Sequence, residues 1–553
     1  MPLFIALLTL NGCNCNNDDN SIKIVSGGTV PEGYNGTITR ILEDNVHSTK
    51  QNSTIILREN NFQYSQTYGY SRLFSFLNNN GYKHDRLVNG KLTSEILKNY
   101  DILFLNLMDN DKPEFKQNEI DAVTSFIQNG GGLFVIADHT NVYKHAEMTN
   151  PLLAPYGITI RYEIAADTGI HSVSGIGWIL VNNHSDHKVN SGITEYSLQT
   201  GGTIDGPGGL GYISTDGWGD FWDPNMADGY YGNWSFDDCD PISTDSEQYF
   251  CDLKGSSEVR GPLSVSQAVE YHSGRVFVFG DQNSFGDAFL YFADNNILAI
   301  NAFEWLAKRD NETPPLRNRK PQGLNIRIDT RADNFNMASG GASCRDDNPD
   351  CDLTDNGYFS FYVNLHRNEK ITAHATRNKL AFTPDAFLVA EPKTGITTES
   401  YDELDDVIAQ KGQIILIVSD DLSAYSKAVI SHIGVDLNLT NSENTAIDIQ
   451  NDTLLSLSNV TTTQALHNKS EVSLESCVAV KCPDNAVLSA IDENDKTCDL
   501  ICSYNVGEAK FLLLFTGKHF RRSALRWVHT TPKGTAYNNF LLQMHFMDLL
   551  LQQ

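Results

Sequence analysis

The sequence predicts an α/β protein made of two tandem doubly wound, flavodoxin-like domains with mostly parallel sheets. Three observations predict it. Short, mostly apolar runs at 101–107 and 133–137 have the length and lack of alternation expected of parallel strands buried on both faces. Helical stretches alternate with these runs, and glycine-rich turns separate them. The same rhythm then runs a second time through the C-terminal half.

The first domain is expected over 53–310. A strand is predicted at 54–57, then a helix at 70–77 stopped by Asn78, Asn79, Asn80 and Gly81. After the 101–107 strand, residues 118–128 read as a helix with Ile120, Val123, Phe126 and Ile127 on one face. Gly130, Gly131 and Gly132 end it, and the 133–137 strand follows. A strand at 274–279 and a mostly apolar helix at 295–308 close the domain. Residues 201–264, rich in Gly, Trp, Tyr and Asp, are too long for an ordinary connection and read as an insertion, a surface excursion or a lid.

Residues 21–52 read as a linker, and so do 311–323, with Pro314, Pro315 and Pro321. Residues 324–553 form the second, degenerate domain. In order, 324–328 echoes 54–57, 385–389 echoes 101–105, 413–418 echoes 133–137, and 507–515 echoes 274–279. Weaker echoes at 357–361, 432–435 and 538–541 keep the same order. Internal duplication explains this; the alternative is two unrelated domains sharing a strand-helix rhythm.

The chain has 553 residues and a net charge of −28, with Lys and Arg gathered only in short groups such as 317–320 and 521–522. Nucleic-acid binding, which needs concentrated positive charge, is therefore excluded as an expectation. The apolar run 3–10 is too short to span a bilayer and fits the core of a signal peptide. Leu10, Asn11, Gly12 and Cys13 then resemble a bacterial lipobox, which makes Cys13 the lipidation site and 14–20 the start of a tether. A plain cleaved signal is the alternative. The expected location is the bacterial cell envelope, membrane-anchored and periplasmic or surface-exposed, or else secreted. Of ten cysteines, the eight beyond Cys15 fall in local groups: Cys239 and Cys251, Cys344 and Cys351, and Cys477, Cys482, Cys498 and Cys502. In an exported chain they read as disulfides, with pairing in the last group left open.

Five stretches carry a family resemblance: 100–105, 129–136, His187 with 188–193, 274–281, and the helix ending at 301–306. They resemble the class I glutamine amidotransferase-like superfamily, in its non-amidotransferase branch. That branch includes gliding-motility and ABC-transporter auxiliary domains, intraflagellar-transport relatives and ThuA-like proteins. Amidotransferases of this superfamily hold a nucleophilic cysteine on the sharp turn after the strand that here is 133–137. The turn is Asp138, His139, Thr140 and Asn141, so hydrolysis of glutamine by a thiolate is not expected.

In a doubly wound sheet, ligands bind beyond the carboxyl ends of the strands. The candidate ligand site is therefore Asp138, His139, Thr140, Asn141, His145, His187, Asp281 and Asn283. Such a set can hold a sugar or peptide by hydrogen bonds. It can also hold a divalent metal ion that activates water, the one cofactor this chemistry suggests. The plain structural alternative is that these residues cap helices and tie turns. Trp218, Trp222, Tyr230 and Trp234 form a candidate aromatic surface for stacking on a flat ligand, or else a small core of the insertion. Asp346, Asp350, Asp352 and Asp355 are weak calcium candidates, set against a solvated turn.

Two functions follow as expectations. One is an envelope lipoprotein with non-catalytic domains that bind carbohydrate, peptide or protein, or act as a scaffold. The other is a metal-assisted hydrolase of envelope carbohydrate or peptide. An accessory subunit of a transporter is a third, by analogy alone.

Overall fold

The computed structural model describes residues 21–48, 69–167, 177–221, 261–331, 357–419, 422–437, 497–521 and 535–552, with shorter pieces elsewhere. Within them the chain is α/β, as the sequence predicts, and its sheets are of the flavodoxin-like kind. Two nine-stranded sheets carry the structure.

In the first sheet five strands run parallel: Tyr82–Asn89, Thr39–Asp44, Ile102–Leu105, Gly132–Ile136 and Gly274–Phe279. Beyond the last, Ser264–Tyr271, Gly209–Tyr212 and Asn183–His184 continue it antiparallel. The second sheet repeats this order. Ile371–Thr376, Leu324–Asp329, Ala386–Ala390, Gln413–Ile417 and Ala509–Leu514 run parallel. Thr497–Val506 and Ala486–Ile491 then extend it antiparallel. Matching the pairings residue by residue sets Ile136 against Ile417 and Phe279 against Leu514.

Successive strand residues face opposite sides of a sheet, so each apolar run feeds two layers. Phe104, Phe134, Ile136, Phe277 and Phe279 pack on one face under the helices Ser71–Asn79 and Asn295–Leu306. Leu103, Leu105, Leu133, Val135, Val276 and Val278 pack on the other, under Gln117–Gln128 and His145–Leu153. Helices on both faces make the sheet doubly wound. A fully buried Leu, Val or Phe contributes roughly 1.5–3 kcal/mol, so these two layers are the main source of stability.

Two sequence expectations need correction, and a third lies outside the described residues. Residues 21–52, read as linker, carry Lys23–Gly28 and Thr39–Asp44, and the second of these is an interior strand of the sheet. Its sequence, Thr-Arg-Ile-Leu-Glu-Asp, has only two apolar side chains, so it lacks the run that marks the others. The strand expected at 54–57 lies outside the described residues, and the position in the first sheet matching Leu324–Asp329 is taken by Thr39–Asp44. The 201–264 stretch is not wholly an excursion, since Gly209–Tyr212 belongs to the main sheet.

The two halves share a core. Trp178, Phe289 and Phe292 join Phe359, Phe361 and Tyr362 in one apolar cluster. Trp178 meets Phe359 edge-on at 5.3 Å, and Phe289 stacks on Phe359 at 5.8 Å. The Ile371–Thr376 strand is the outer parallel strand of the second sheet, and Phe292 bridges to Ala375 in parallel. Ala293 N donates to Ala375 O at 2.8 Å, and Ala375 N donates to Tyr291 O at 3.0 Å. An open strand edge invites pairing with other chains, and here residues 291–293 of the first half cover part of it. In the first sheet the matching edge, Tyr82–Asn89, is covered by Lys23–Gly28.

Cys482, directly after the short strand Val480–Lys481, forms a disulfide with Cys502 in the strand Thr497–Val506. Cys239, Cys251, Cys344 and Cys351 lie outside the described residues, as do Cys13 and the side chains of Cys477 and Cys498. Among the described residues, no helix is long and apolar enough to cross a membrane.

Candidate functional site

The parallel strands of the first sheet end in polar residues at one edge: Asp44, Asn106, Asp138 and Asp281. Asp44 is the last residue of its strand and the other three follow buried apolar strands, so each side chain is held by a rigid element. All four are buried. Tyr70, which precedes the Ser71–Asn79 helix, reaches into this edge, where its hydroxyl lies 3.1 Å from Asn106 Oδ1 and 3.0 Å from Gln282 O.

The turn after Gly132–Ile136 brings five of the expected residues together. Asp138 Oδ1 accepts from His139 N at 2.7 Å, and Asp138 N donates to His145 Nε2 at 3.1 Å. His145 Nδ1 faces Val142 O at 2.8 Å, so that nitrogen carries the proton and Nε2 is the acceptor. His139 Nδ1 lies 3.0 Å from Thr140 Oγ1. Asn141 Oδ1 accepts from Glu147 N at 3.2 Å, in the first turn of the helix His145–Leu153. Thr140, Tyr143 and Lys144 adopt left-handed backbone, with φ of 51°, 55° and 58°. Each costs on the order of 1 kcal/mol for a residue with a Cβ.

Asp281 and Asn283 adjoin this turn. Asp281 Oδ1 accepts from Asn283 N at 2.7 Å, while Oδ2 accepts from Gln199 N and Ser284 Oγ. Asn283 Nδ2 donates to Gln199 O at 2.9 Å. The backbone packs closely beneath. Gly202 N donates to Gly280 O at 2.7 Å. A Cβ on Gly280 would lie 2.3 Å from Gly202 O, and one on Gly202 would lie 2.5 Å from Asp138 O. Only glycine fits either position.

Burial governs the charges. It pushes the Asp138 carboxyl well above its ordinary range, and the nearby Asp281 carboxylate pushes it further. Burial likewise raises Asp281, to about 6, against hydrogen bonds from Ser284 and backbone amides that favour the anion. His139 falls to about 3, through burial and then His145, and His145 falls to about 4 through burial. Both imidazoles are therefore neutral near pH 7. The 3.9 Å approach of His139 Nε2 to Asp138 Oδ1 is then a dipolar contact and not an ion pair.

His187 does not join the site. Its Nδ1 accepts from Val189 N at 3.2 Å, capping the Lys188–Asn190 turn, and its ring meets Trp305 edge-on at 5.1 Å. Among the described residues, no group of three or more His, Cys, Asp or Glu is arranged to hold a metal ion. Trp218 is not an aromatic surface residue. It is 3% exposed, on a strand paired with Glu163–Ala166. Trp222, Tyr230 and Trp234 lie outside the described residues, as do Asp346, Asp350, Asp352 and Asp355.

The matching edge of the second sheet differs in chemistry. The register aligns Asp138 with Ser419 and Asp281 with Thr516. Arg521 forks onto Glu391, with Nε to Oε2 at 3.0 Å and Nη2 to Oε1 at 2.6 Å, and Ser419 Oγ donates to the same carboxylate. The paired acids of the first edge have no counterpart at those two positions.

Sequence reasoning missed Tyr70, Asn106 and Gln199. Nothing in their local sequence marks them, because the contacts that recruit them span the chain from 70 to 282.

No protein-family model matches the chain, and no curated protein matches it. Solved structures similar to it include a ThuA-like protein from Bacteroides uniformis, at 14% identity and a TM-score of 0.30. That alignment covers 52% of this chain and 98% of the other. The mmIFT52 N-terminal domain is similar at 13% identity and a TM-score of 0.33, over 50% of this chain and 100% of its own. A beta-galactosidase from Bacillus circulans aligns at 12% identity with a TM-score of 0.27, over 51% of this chain and 32% of its own.

Proposed function

We propose that this chain is a cell-envelope lipoprotein, lipidated at Cys13, whose two tandem glutamine amidotransferase-like domains bind or scaffold and do not catalyse. One observation carries the non-catalytic part. At the ligand-facing edge of the first sheet, Asp138, His145, Asn141 and Asp281 direct their hydrogen-bonding atoms at neighbouring backbone. A general base must reach its substrate's proton with a pKa near the working pH. His139 and His145 are held far below that, and Asp281, raised to about 6, has both oxygens engaged by Asn283 N, Gln199 N and Ser284 Oγ. The repeated strand order and register support descent of both halves from one unit.

One observation favours a second reading, a metal-assisted hydrolase of envelope carbohydrate or peptide. Strained backbone concentrates at active sites, and the 140–144 turn holds three left-handed residues without a glycine. Metal content separates the two readings. The purified protein is expected to carry no stoichiometric zinc or manganese and to melt at the same temperature in chelator. Stoichiometric metal that vanishes in His139→Ala would overturn the non-catalytic reading. The anchor is tested separately, by labelling expressing cells with an alkyne fatty acid. Label that persists in Cys13→Ser would overturn lipidation there.

A further inference from the structure

The chain is strongly acidic, with 69 Asp and Glu against 41 Lys and Arg, yet four cations gather at one crevice between the halves. The crevice encloses about 700 Å³ between the outer face of the Ser71–Asn79 helix, the 319–323 segment and residues 369–372. Arg72, Arg319, Lys320 and Lys370 line it, and among the described lining residues Glu369 is the one acid.

Asp287 and Glu369 lie close enough to Arg72, and Glu312 to Arg319, to act on their charges, but among the described residues none of these carboxylates forms a direct ion pair with either guanidinium. Lys320 Nζ pairs with Asp385 at 2.7 Å. Arg319 Nη1 donates instead to the neutral amide of Asn80 at 2.8 Å. Arg72 Nη1 and Nη2 donate to the carbonyls of Ile371 and Asn368, both at 2.9 Å, and Nη2 also donates to His366 O. Its Nε is buried without a hydrogen-bond partner. Lys370 is exposed at the rim. Ser71, Ser75 and Asn79 follow one another at helical spacing along one wall; Ser71 Oγ donates to Asp287 Oδ2 at 2.7 Å and can still accept, Ser75 and Asn79 offer a hydroxyl and an amide, and Tyr291 supplies an aromatic ring.

Guanidinium and ammonium groups held near one another attract multivalent oxyanions, and Arg in particular matches phosphate geometry. Hydroxyl and amide side chains beside them suit a polyol. We propose that this crevice binds a phosphorylated sugar, with Arg319 and Lys370 on the phosphate and the Ser71, Ser75 and Asn79 wall on the sugar hydroxyls. The crevice shares none of its described lining residues with the Asp138 turn, and the inference holds whether or not the chain is lipidated or catalytic.

The test is calorimetry on the whole soluble chain at low ionic strength, with glucose 6-phosphate as probe and glucose and inorganic phosphate as separate arms. Saturable binding is expected, tighter than either arm and weakened by salt. Lys370→Glu, on an exposed side chain, is expected to weaken it by about tenfold or more, and Arg319→Gln likewise, the cost of one charge-assisted contact. No heat at millimolar probe, equal binding of glucose, or binding unchanged in both variants with native circular dichroism would overturn the proposal. Inorganic phosphate binding as tightly as the ester would overturn the sugar component.

Discussion

At the scale of single residues, His47 is the charge with the clearest consequence. Burial alone would push its pKa down, but Asp44 at 2.6 Å and Glu119 at 3.7 Å outweigh burial and raise it to about 9. A histidine with a raised folded pKa stabilises fully below its unfolded value of about 6.5, and that contribution is lost as pH rises through about 9. The shift corresponds to something on the order of 3 kcal/mol. In urea unfolding, the native chain is expected to exceed His47→Gln in stability at neutral pH, with the gap closing above pH about 9. A gap that stays constant across that range would refute the charged state. Asp138 makes the opposite case. Burial and the nearby Asp281 carboxylate favour the protonated form of Asp138, so Asp138→Asn, which keeps an acceptor for His139 N, is expected to cost no more than about 1 kcal/mol. Asp138→Ala strands that amide and should cost roughly 1–3 kcal/mol by urea midpoint. Equal losses in the two variants would show that Asp138 is ionised.

At the scale of elements, the 140–144 turn stores strain that can be relieved without touching a contact described above. Lys144 is exposed with φ of 58°, so Lys144→Gly is expected to raise stability by about 1 kcal/mol in thermal or urea unfolding. A fall would mean that the Lys144 side chain makes a contact worth more than the strain. The same scale shows what could be read from sequence. Ile102–Leu105 and Gly132–Ile136 were legible because burial on both faces leaves an unbroken apolar run. Tyr82–Asn89, with Lys83, His84, Asp85 and Arg86, was not. Its polar residues are accommodated by partners on the neighbouring strand, such as Glu43, whose Oε2 lies 2.6 Å from His84 Nε2. The Asp138 turn was legible in position because it follows a clear strand. Its bonding was not, because whether an acid caps an amide or faces a cleft depends on partners as distant as Gln199 and Gln282.

At the scale of the whole molecule, the halves are joined by more than the 311–323 segment. Arg72 holds three carbonyls of the second half, Asp294 accepts from Thr376 and Asn378, and the Trp178, Phe289 and Phe359 rings interleave. The intact chain is therefore expected to melt in one calorimetric transition. A chain beginning at residue 324 is expected to sediment as aggregate, and a soluble monomer from it would contradict the shared core. None of this interface was visible in the sequence, where the proline-rich segment suggested two independent units. The strip at 291–293 laid along the Ile371–Thr376 strand has a further consequence for biogenesis. Polypeptides are made from the N-terminus, and strand edges exposed during synthesis are where nascent chains misassociate. Here the covering strip is translated about eighty residues before the edge it shields, so the leading half waits as a built-in chaperone for the trailing one.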